Sequence, residues 1–158
     1  MVTVFPLSDL VFLGPQIRPH EATPLKEAGI VRVICNRPDG EAADQPRAED
    51  VKSALAAMGI AFDYLPIGGQ GIDQSLIDQV ANRLSAAEPL LLYCTSGRRS
   101  SVIWGLAAAS LGQSAEAIIK MAAGAGYDLT PYRSVLEGFA ADAQARAKAA
   151  DKETDGAL

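Results

Sequence analysis

The hydrophobic positions of this chain follow two spacings, and each spacing predicts a different kind of element. Short apolar runs rich in β-branched residues predict strands, whereas apolar residues that recur every three or four positions predict helices with one buried face. The predicted strands cover residues 11–13, 30–35, 61–67 and 90–93. The predicted helices cover residues 23–29, 48–58, 74–87, 100–111, 114–123 and 131–149.

The order of these elements predicts the fold class. Strands alternate with helices, which indicates an α/β fold with a mainly parallel sheet flanked by helices. The run 90–93 is apolar at every position, as expected for a strand buried on both faces of the sheet. With 158 residues the chain fits one domain, predicted at 1–149. Residues 150–158 have no apolar stripe and are predicted to form a flexible tail.

Composition and charge exclude several classes of function. The formal net charge is -5, with 14 Lys and Arg against 19 Asp and Glu, so no general attraction to nucleic acid or to an anionic membrane is expected. No apolar run is long enough to span a bilayer and the first residues do not resemble a secretion signal, so we expect a cytoplasmic protein. Two Cys and one His cannot build a disulfide framework or a Cys/His zinc site. We therefore predict no metal and no cofactor.

The strongest chemical signal is Cys94, which follows the buried strand 90–93 and precedes a helix. In open α/β sheets, ligands bind beyond the carboxyl ends of the strands. The helix start offers unpaired N–H groups and a positive dipole end, and both stabilise a thiolate or a bound oxyanion. We expect the pKa of Cys94 to fall into the range of roughly 3.5 to 7.5 of activated thiols, which makes Cys94 the predicted nucleophile.

The residues around Cys94 predict an anion-binding loop. Arg99 supplies a bidentate donor fork, and Gly97 allows the backbone to turn so that successive N–H groups point inward. Ser100 is expected to donate to the sulfur or to cap the helix. Arg37, from the loop after the strand 30–35, is predicted to line the mouth of the site, or alternatively to be fixed by a salt bridge to Asp39 or Glu41. The predicted substrate-binding set is Thr95, Ser96, Gly97, Arg98, Ser100 and Arg37.

Three runs carry a resemblance to a known family: YCTSGRRSS at 93–101, NRPDGE at 36–41 and GYDL at 126–129. In order and spacing they resemble the phosphatase-like domain of beta-lactamase-hydrolase-like proteins, a family also described as sulfurtransferases. The resemblance implies a fold like that of the cysteine-dependent dual-specificity phosphatases, with Cys94 as nucleophile and Arg99 as anion-binding residue. Two positions depart from the family pattern, because Thr95 stands where Arg is expected and Cys35 where Asn is expected.

The length of the loop favours sulfur chemistry. Four residues separate Cys94 from Arg99, one fewer than in phosphotyrosine-type phosphatases, and this tighter loop resembles that of rhodanese. A cysteine phosphatase also needs a general acid, and the slot after the third strand reads IGGQ, with Asp73 as the nearest candidate. The main prediction is a rhodanese-type sulfurtransferase that forms a persulfide on Cys94, with a small anionic sulfur donor and a thiol acceptor.

Two alternatives remain open at this stage. The first is a protein-tyrosine or dual-specificity-type phosphatase that hydrolyses a phosphorylated substrate, with Asp73 as the possible acid. The second is a catalytically silent module that binds an anion without turnover. For Cys35, an apolar strand residue is the simpler interpretation, and a resolving thiol for Cys94 is the alternative.

Overall fold

The computed structural model describes residues 2–156, with the side chains of 153–156 left aside. Its centre is a five-stranded sheet in the order β1-β2-β5-β3-β4. The first strand pairs antiparallel with the second, and all other pairs are parallel, so the predicted mainly parallel α/β fold is confirmed. The strands are β1 Phe5–Pro6, β2 Val11–Gly14, β3 Arg32–Cys35, β4 Ala61–Tyr64 and β5 Leu90–Tyr93.

Helices cover both faces of this sheet. The helices are α1 Ala22–Glu27, α2 Ala48–Ala57, α3 Gln74–Ser85, α4 Arg98–Ser110, α5 Ala115–Gly124 and α6 Arg133–Gly156, with short 3-10 helices at Pro19–Glu21 and Thr130–Tyr132. The first two helices pack on one face and the last four on the other. Within residues 2–156, no helix is both long and apolar enough to cross a membrane.

The central strand β5 explains why the two halves of the core hold together. Leu90 and Leu92 point into the core beneath α3–α6, whereas Leu91 and Tyr93 point into the core beneath α1 and α2. All four are almost fully buried, which confirms the prediction from the uninterrupted apolar run. Full burial of one such side chain contributes about 1.5–3 kcal/mol, so this strand anchors the sheet under the functional loop.

Some element boundaries differ from the sequence prediction for clear reasons. Strand β1 was not predicted because it is two residues long and contains Pro6. Strand β3 begins at Arg32; the carbonyl of Pro89 accepts the amides of both Val31 and Arg32, and Pro89 has no amide of its own to extend the ladder. Helix α4 begins at Arg98, earlier than predicted, because Gly97 serves as its N-cap.

The C-terminal helix continues beyond its predicted end. It was expected to stop at residue 149, but α6 runs to Gly156. Its later part is rich in Ala and charged residues, which favour helix without requiring a buried face. The flexible tail expected at 150–158 stays a prediction, and residues 157 and 158 lie outside the described part of the chain.

Candidate active site

The loop from Cys94 to Arg99 joins the carboxyl end of β5 to the start of α4, in the middle of the sheet. Gly97 has φ +94° and donates its amide to the Cys94 sulfur over 3.1 Å. A Cβ atom here would clash with the Tyr127 hydroxyl and lie 3.2 Å from the Gly14 carbonyl oxygen. The Tyr127 hydroxyl donates to the Ser96 carbonyl oxygen over 2.9 Å. The loop therefore requires glycine at position 97 for both conformation and space.

Cys94 lies at the bottom of this loop and is almost fully buried. Burial alone raises the pKa of its thiol, but the backbone N–H groups of Ser100, Gly97, Arg99 and Ser96 stabilise the thiolate more strongly. The net effect is a pKa below the ordinary value of 9.0. The predicted lowering of the pKa is therefore seen in this structure, and backbone amides cause it.

Arg99 is held by four hydrogen bonds. Its Nη1 donates to Glu41 Oε2 over 2.8 Å and to the Ile67 carbonyl oxygen over 3.0 Å. Its Nη2 donates to Glu41 Oε1 over 2.9 Å and to Thr95 Oγ1 over 2.8 Å. Glu41, and to a smaller extent the thiolate of Cys94, raise the pKa of Arg99. The four bonds use all four hydrogens of the two terminal nitrogens. A bound anion can therefore bond to Nε–H, on a guanidinium that also faces the Cys94 sulfur, or replace Thr95 as the partner of Nη2.

Glu41 is the partner that sequence reasoning did not assign to Arg99. Hydrogen bonds from Arg99, and then from Arg37, lower the pKa of Glu41 to about 2. The carboxylate is ionised at neutral pH and therefore has no proton to donate to a leaving group. Its role in this geometry is to fix the plane and direction of the Arg99 guanidinium.

Arg37 does not line the mouth of the site, and this corrects the main expectation for it. Its side chain is buried, with Nε donating to Glu41 Oε1 over 3.1 Å and Nη1 donating to Gln16 Oε1 over 3.0 Å. A buried guanidinium is stable only when it is paired and hydrogen-bonded, and Glu41 and Gln16 supply these partners inside the protein. The alternative salt bridge to Glu41 is confirmed, whereas Asp39 accepts the amide of Ala48 instead.

Ser100 also differs from expectation. Its hydroxyl donates to Asn36 Oδ1 over 2.8 Å, and Asn36 Nδ2 donates to the Leu65 carbonyl oxygen over 3.0 Å. Both side chains are fully buried, so Ser100 assists Cys94 through its backbone amide and not through its hydroxyl. This bridge ties α4 to the end of β3. The signal for Asn36 in the sequence was a polar residue directly after a buried strand.

A cavity of about 610 Å³ opens over the loop. Its polar floor consists of Cys94, Thr95, Ser96, Arg98 and Arg99, which the sequence had grouped together. Its walls are mostly apolar and come from Ile67, Gly71, Ile72, Val102, Leu106, Tyr132 and Val135. The substrate-binding roles of the floor residues stay predictions, but the structure brings these residues to one cavity. Sequence reasoning did not identify the apolar walls.

Asp73 is not among the residues that line this cavity, which corrects its candidacy as a general acid. It is the N-cap of α3, and its carboxylate accepts the amide of Leu76 over 2.8 Å. This capping bond explains its position, since a capping Asp satisfies free amides at a helix start. In the described part of the chain, no Asp or Glu side chain lines the cavity.

Cys35 is buried next to the site without joining it. Burial raises the pKa of its thiol, and its sulfur donates to the Arg37 carbonyl oxygen over 3.3 Å. Both cysteines are free thiols. Among residues 2–156, no cluster of three or more His, Cys, Asp or Glu side chains is arranged to hold a metal ion.

Comparison with known proteins identifies the family. A family model described as the phosphatase-like domain of beta-lactamase hydrolase-like protein matches residues 5–114. The chain belongs to this family. A beta-lactamase hydrolase-like protein of Agrobacterium fabrum is 31% identical to this chain over 83 residues, which are 52% of this chain and 19% of that protein. One of Xylella fastidiosa is 29% identical over 79 residues, 49% of this chain and 18% of that protein. The chain thus matches less than a fifth of the length of these curated relatives.

Solved structures extend the likeness to nearly the whole domain. A "putative phosphatase" from Neisseria meningitidis shares 31% identity and a TM-score of 0.73, with 85% of this chain and 96% of that chain covered. Kinase associated phosphatase, in a form whose catalytic-site cysteine is replaced by serine, has a TM-score of 0.69 over 92% and 96% of the two chains at 19% identity. These comparisons confirm the dual-specificity-phosphatase-like fold. They support a phosphatase-like domain and give no support to a rhodanese-type one.

Proposed function

We propose that this domain is a cysteine-dependent phosphatase that hydrolyses phosphate monoesters with Cys94 as nucleophile. One observation carries the proposal: backbone amides of the loop converge on the Cys94 sulfur at the floor of an open cavity. Inward-pointing amides that stabilise a thiolate also suit the oxygens of a bound phosphoryl group. The likeness to phosphatases in fold and family supports the same conclusion.

The reaction proceeds in two steps. The Cys94 thiolate attacks phosphorus, an S–P bond forms, the ester P–O bond breaks, and the leaving oxygen takes a proton from water. Water then attacks the phosphorus of the cysteinyl phosphate, the S–P bond breaks, and inorganic phosphate leaves with the thiolate restored. The loop amides and the Nε–H of Arg99 stabilise the negative charge in both steps.

Among the residues that the structure describes, none in the cavity lining carries a carboxylic acid to protonate the leaving group. Asp73 caps a helix and Glu41 is ionised with a pKa of about 2. The rate should therefore depend steeply on the acidity of the leaving alcohol, because expulsion of a basic alkoxide would be unassisted. Aryl phosphates should be hydrolysed much faster than alkyl phosphates, and rates measured over a series of phenols of graded acidity test this.

The same missing acid favours a second candidate, sulfur transfer, which requires none. In that reaction the Cys94 thiolate attacks the outer sulfur of a donor such as thiosulfate, sulfite leaves, and the resulting persulfide passes its outer sulfur to a thiol acceptor. The four-residue spacing between Cys94 and Arg99 also favours it. The phosphatase proposal ranks first because the family and structural likenesses are to phosphatases.

One experiment separates these functions. Wild type and Cys94→Ser are assayed in parallel for phosphate release from an aryl phosphate and for sulfur transfer from thiosulfate to glutathione. Phosphate release that requires Cys94 supports the proposal. Cys94-dependent sulfur transfer without phosphate release would replace it with the second candidate. Anion binding that survives Cys94→Ser, with no turnover of either substrate by wild type, would instead indicate a silent binding module.

A further inference from the structure

The cavity above Cys94 has two unlike parts, a polar floor and apolar walls. One wall comes from Val102 and Leu106 on α4, which are buried to 8% and 7% exposure. The lining also includes Val135 of α6, which is 43% exposed although it is a large apolar residue. An apolar rim beside a reactive group is the kind of surface that an apolar ligand covers.

The charges of the cavity limit how many anionic groups a substrate can carry. Arg99 is already paired with Glu41 through both of its terminal nitrogens. Arg98 is the other cation of the described lining; its exposed side chain forms no ion pair within the described residues, but it lies near enough to Asp128 to help lower the pKa of that carboxyl. Of the described residues, no Lys or His joins them in this lining. The site therefore fits one phosphoryl group, whereas a second anionic group on the substrate would face the apolar walls without a partner.

The space available is larger than one phosphoryl group requires. The cavity volume of about 610 Å³ lies within the range of roughly 300–1,000 Å³ typical of small-molecule sites. Beyond the floor, this volume is lined by the side chains of Ile67, Ile72, Tyr132 and Val135. A bound ester group would lie between these side chains and remove them from water.

We propose that the substrate is a monophosphate ester whose ester group is apolar and uncharged, about one substituted ring in size. This inference rests on the proposed phosphatase function and names the substrate class for it. The phosphoryl group occupies the loop, and the apolar group lies along α4 and the start of α6. Polyphosphorylated compounds are poor substrates because the walls offer them no cation.

The test uses three aryl phosphates whose phenols have closely similar acidity: 4-methylphenyl, 4-tert-butylphenyl and 4-(carboxymethyl)phenyl phosphate. Similar leaving groups keep the chemical step comparable, so differences in kcat/KM report contacts with the ester group. From the methyl to the tert-butyl ester we expect kcat/KM to rise roughly three- to tenfold, mainly through a lower KM, since each added carbon is partly buried against the apolar walls of a half-open cavity. The carboxymethyl ester should fall below the methyl ester by a similar factor.

Val135→Asp is the informative variant, because an exposed position tolerates a charge without loss of the core. It should lower kcat/KM for the tert-butyl ester more than for the methyl ester, and so abolish the preference. The matched control is Val31→Asp, at a valine with 39% exposure that directly precedes β3, at the amino ends of the parallel strands, and does not line the cavity. This control should keep the wild-type preference.

A binding measurement separates failure of the inference from failure of the proposed function. Calorimetry with Cys94→Ser compares 4-methylbenzylphosphonate and 4-tert-butylbenzylphosphonate, which cannot be hydrolysed. Equal kcat/KM for the three esters, with activity that depends on Cys94, overturns the apolar-substrate inference and leaves the phosphatase function standing. Tighter binding of the tert-butyl phosphonate without any phosphate release by wild type overturns the function but supports the ligand class. Equal binding of the two phosphonates also counts against the inference.

Discussion

Replacement of Glu41 by Gln tests whether the ion-pair group Arg37–Glu41–Arg99 organises the loop. The carboxylate accepts two hydrogen bonds from Arg99 and one from Arg37, at distances of 2.8 to 3.1 Å. Gln offers one acceptor oxygen and no charge, so the buried Arg37 loses its counter-ion and Arg99 loses its bidentate partner. We expect both a lower free energy of unfolding and a lower kcat/KM.

The structure gives a magnitude for the stability effect. The fall in the pKa of Glu41 from 4.5 to about 2 corresponds at full strength to roughly 3 kcal/mol. The Glu41 side chain is 33% exposed, so solvent screening reduces the expected loss to about 1–2 kcal/mol. Because the folded state holds this pKa below the unfolded value, the contribution is fully present above pH 4.5 and is lost as the pH falls towards about 2.

Urea unfolding of wild type and Glu41→Gln, repeated between pH 7 and pH 2.5, measures this effect. The gap between the two free energies of unfolding should be constant from pH 7 to about pH 5 and should then narrow. Glu88→Gln provides the control, because Glu88 is exposed and forms no ion pair within the described residues. Two results would refute the reasoning: a urea midpoint for Glu41→Gln equal to that of wild type at pH 7, or a difference between the two free energies of unfolding that widens in acid.

Three further predictions concern the loop itself. Gly97→Ala should lower kcat/KM for an aryl phosphate by more than about 100-fold, because the residue needs φ +94° and a methyl group would clash with Tyr127. Near-normal turnover by this variant would contradict the described loop. Iodoacetamide should alkylate Cys94 with a pH midpoint below that of an ordinary thiol, since loop amides lower the pKa of Cys94. Mass spectrometry should find Cys35 unmodified, because burial raises the pKa of its thiol. Modification of Cys35 before Cys94 would contradict this prediction. Arg98→Ala should raise KM for a dianionic aryl phosphate by about five- to tenfold with kcat retained, because Arg98 is an exposed cation of the cavity floor. An unchanged KM would show that Arg98 does not bind the substrate.

The fold was predictable to the extent that burial leaves a local pattern. Strand β5 appears in the sequence as an unbroken apolar run because it is buried on both faces, and its bounds were predicted correctly. Strand β1 has no such pattern, since its two residues are exposed and one is Pro6. The start of α4 depended on the left-handed conformation of Gly97, which apolar spacing does not encode.

For the candidate site as well, features that are local in the sequence were easier to predict than contacts formed by the tertiary fold. Residues near Cys94 in sequence were found because a strand end, a glycine and a helix start are local features. Glu41 was not assigned to Arg99, because the two are 58 positions apart and meet only through the tertiary fold. Asp73 was chosen for its proximity in sequence, but its carboxylate caps α3. A contact between distant segments therefore explains why Glu41 was missed, whereas the error over Asp73 comes from a local helix cap formed with Leu76.

The cavity is assembled from two parts of the chain that can change independently. Cys94 and the rest of the loop 94–99 lie inside the segment that the family model matches, residues 5–114. Tyr127, which contacts the loop, and the wall residues Tyr132 and Val135 all lie beyond it. A relative can thus retain the whole reactive loop and still present a differently shaped and differently charged cavity through changes at the C-terminal helices. For members of this family, likeness in the loop therefore bears on the proposed reaction, whereas the C-terminal segment has to be compared separately to judge what fits above it.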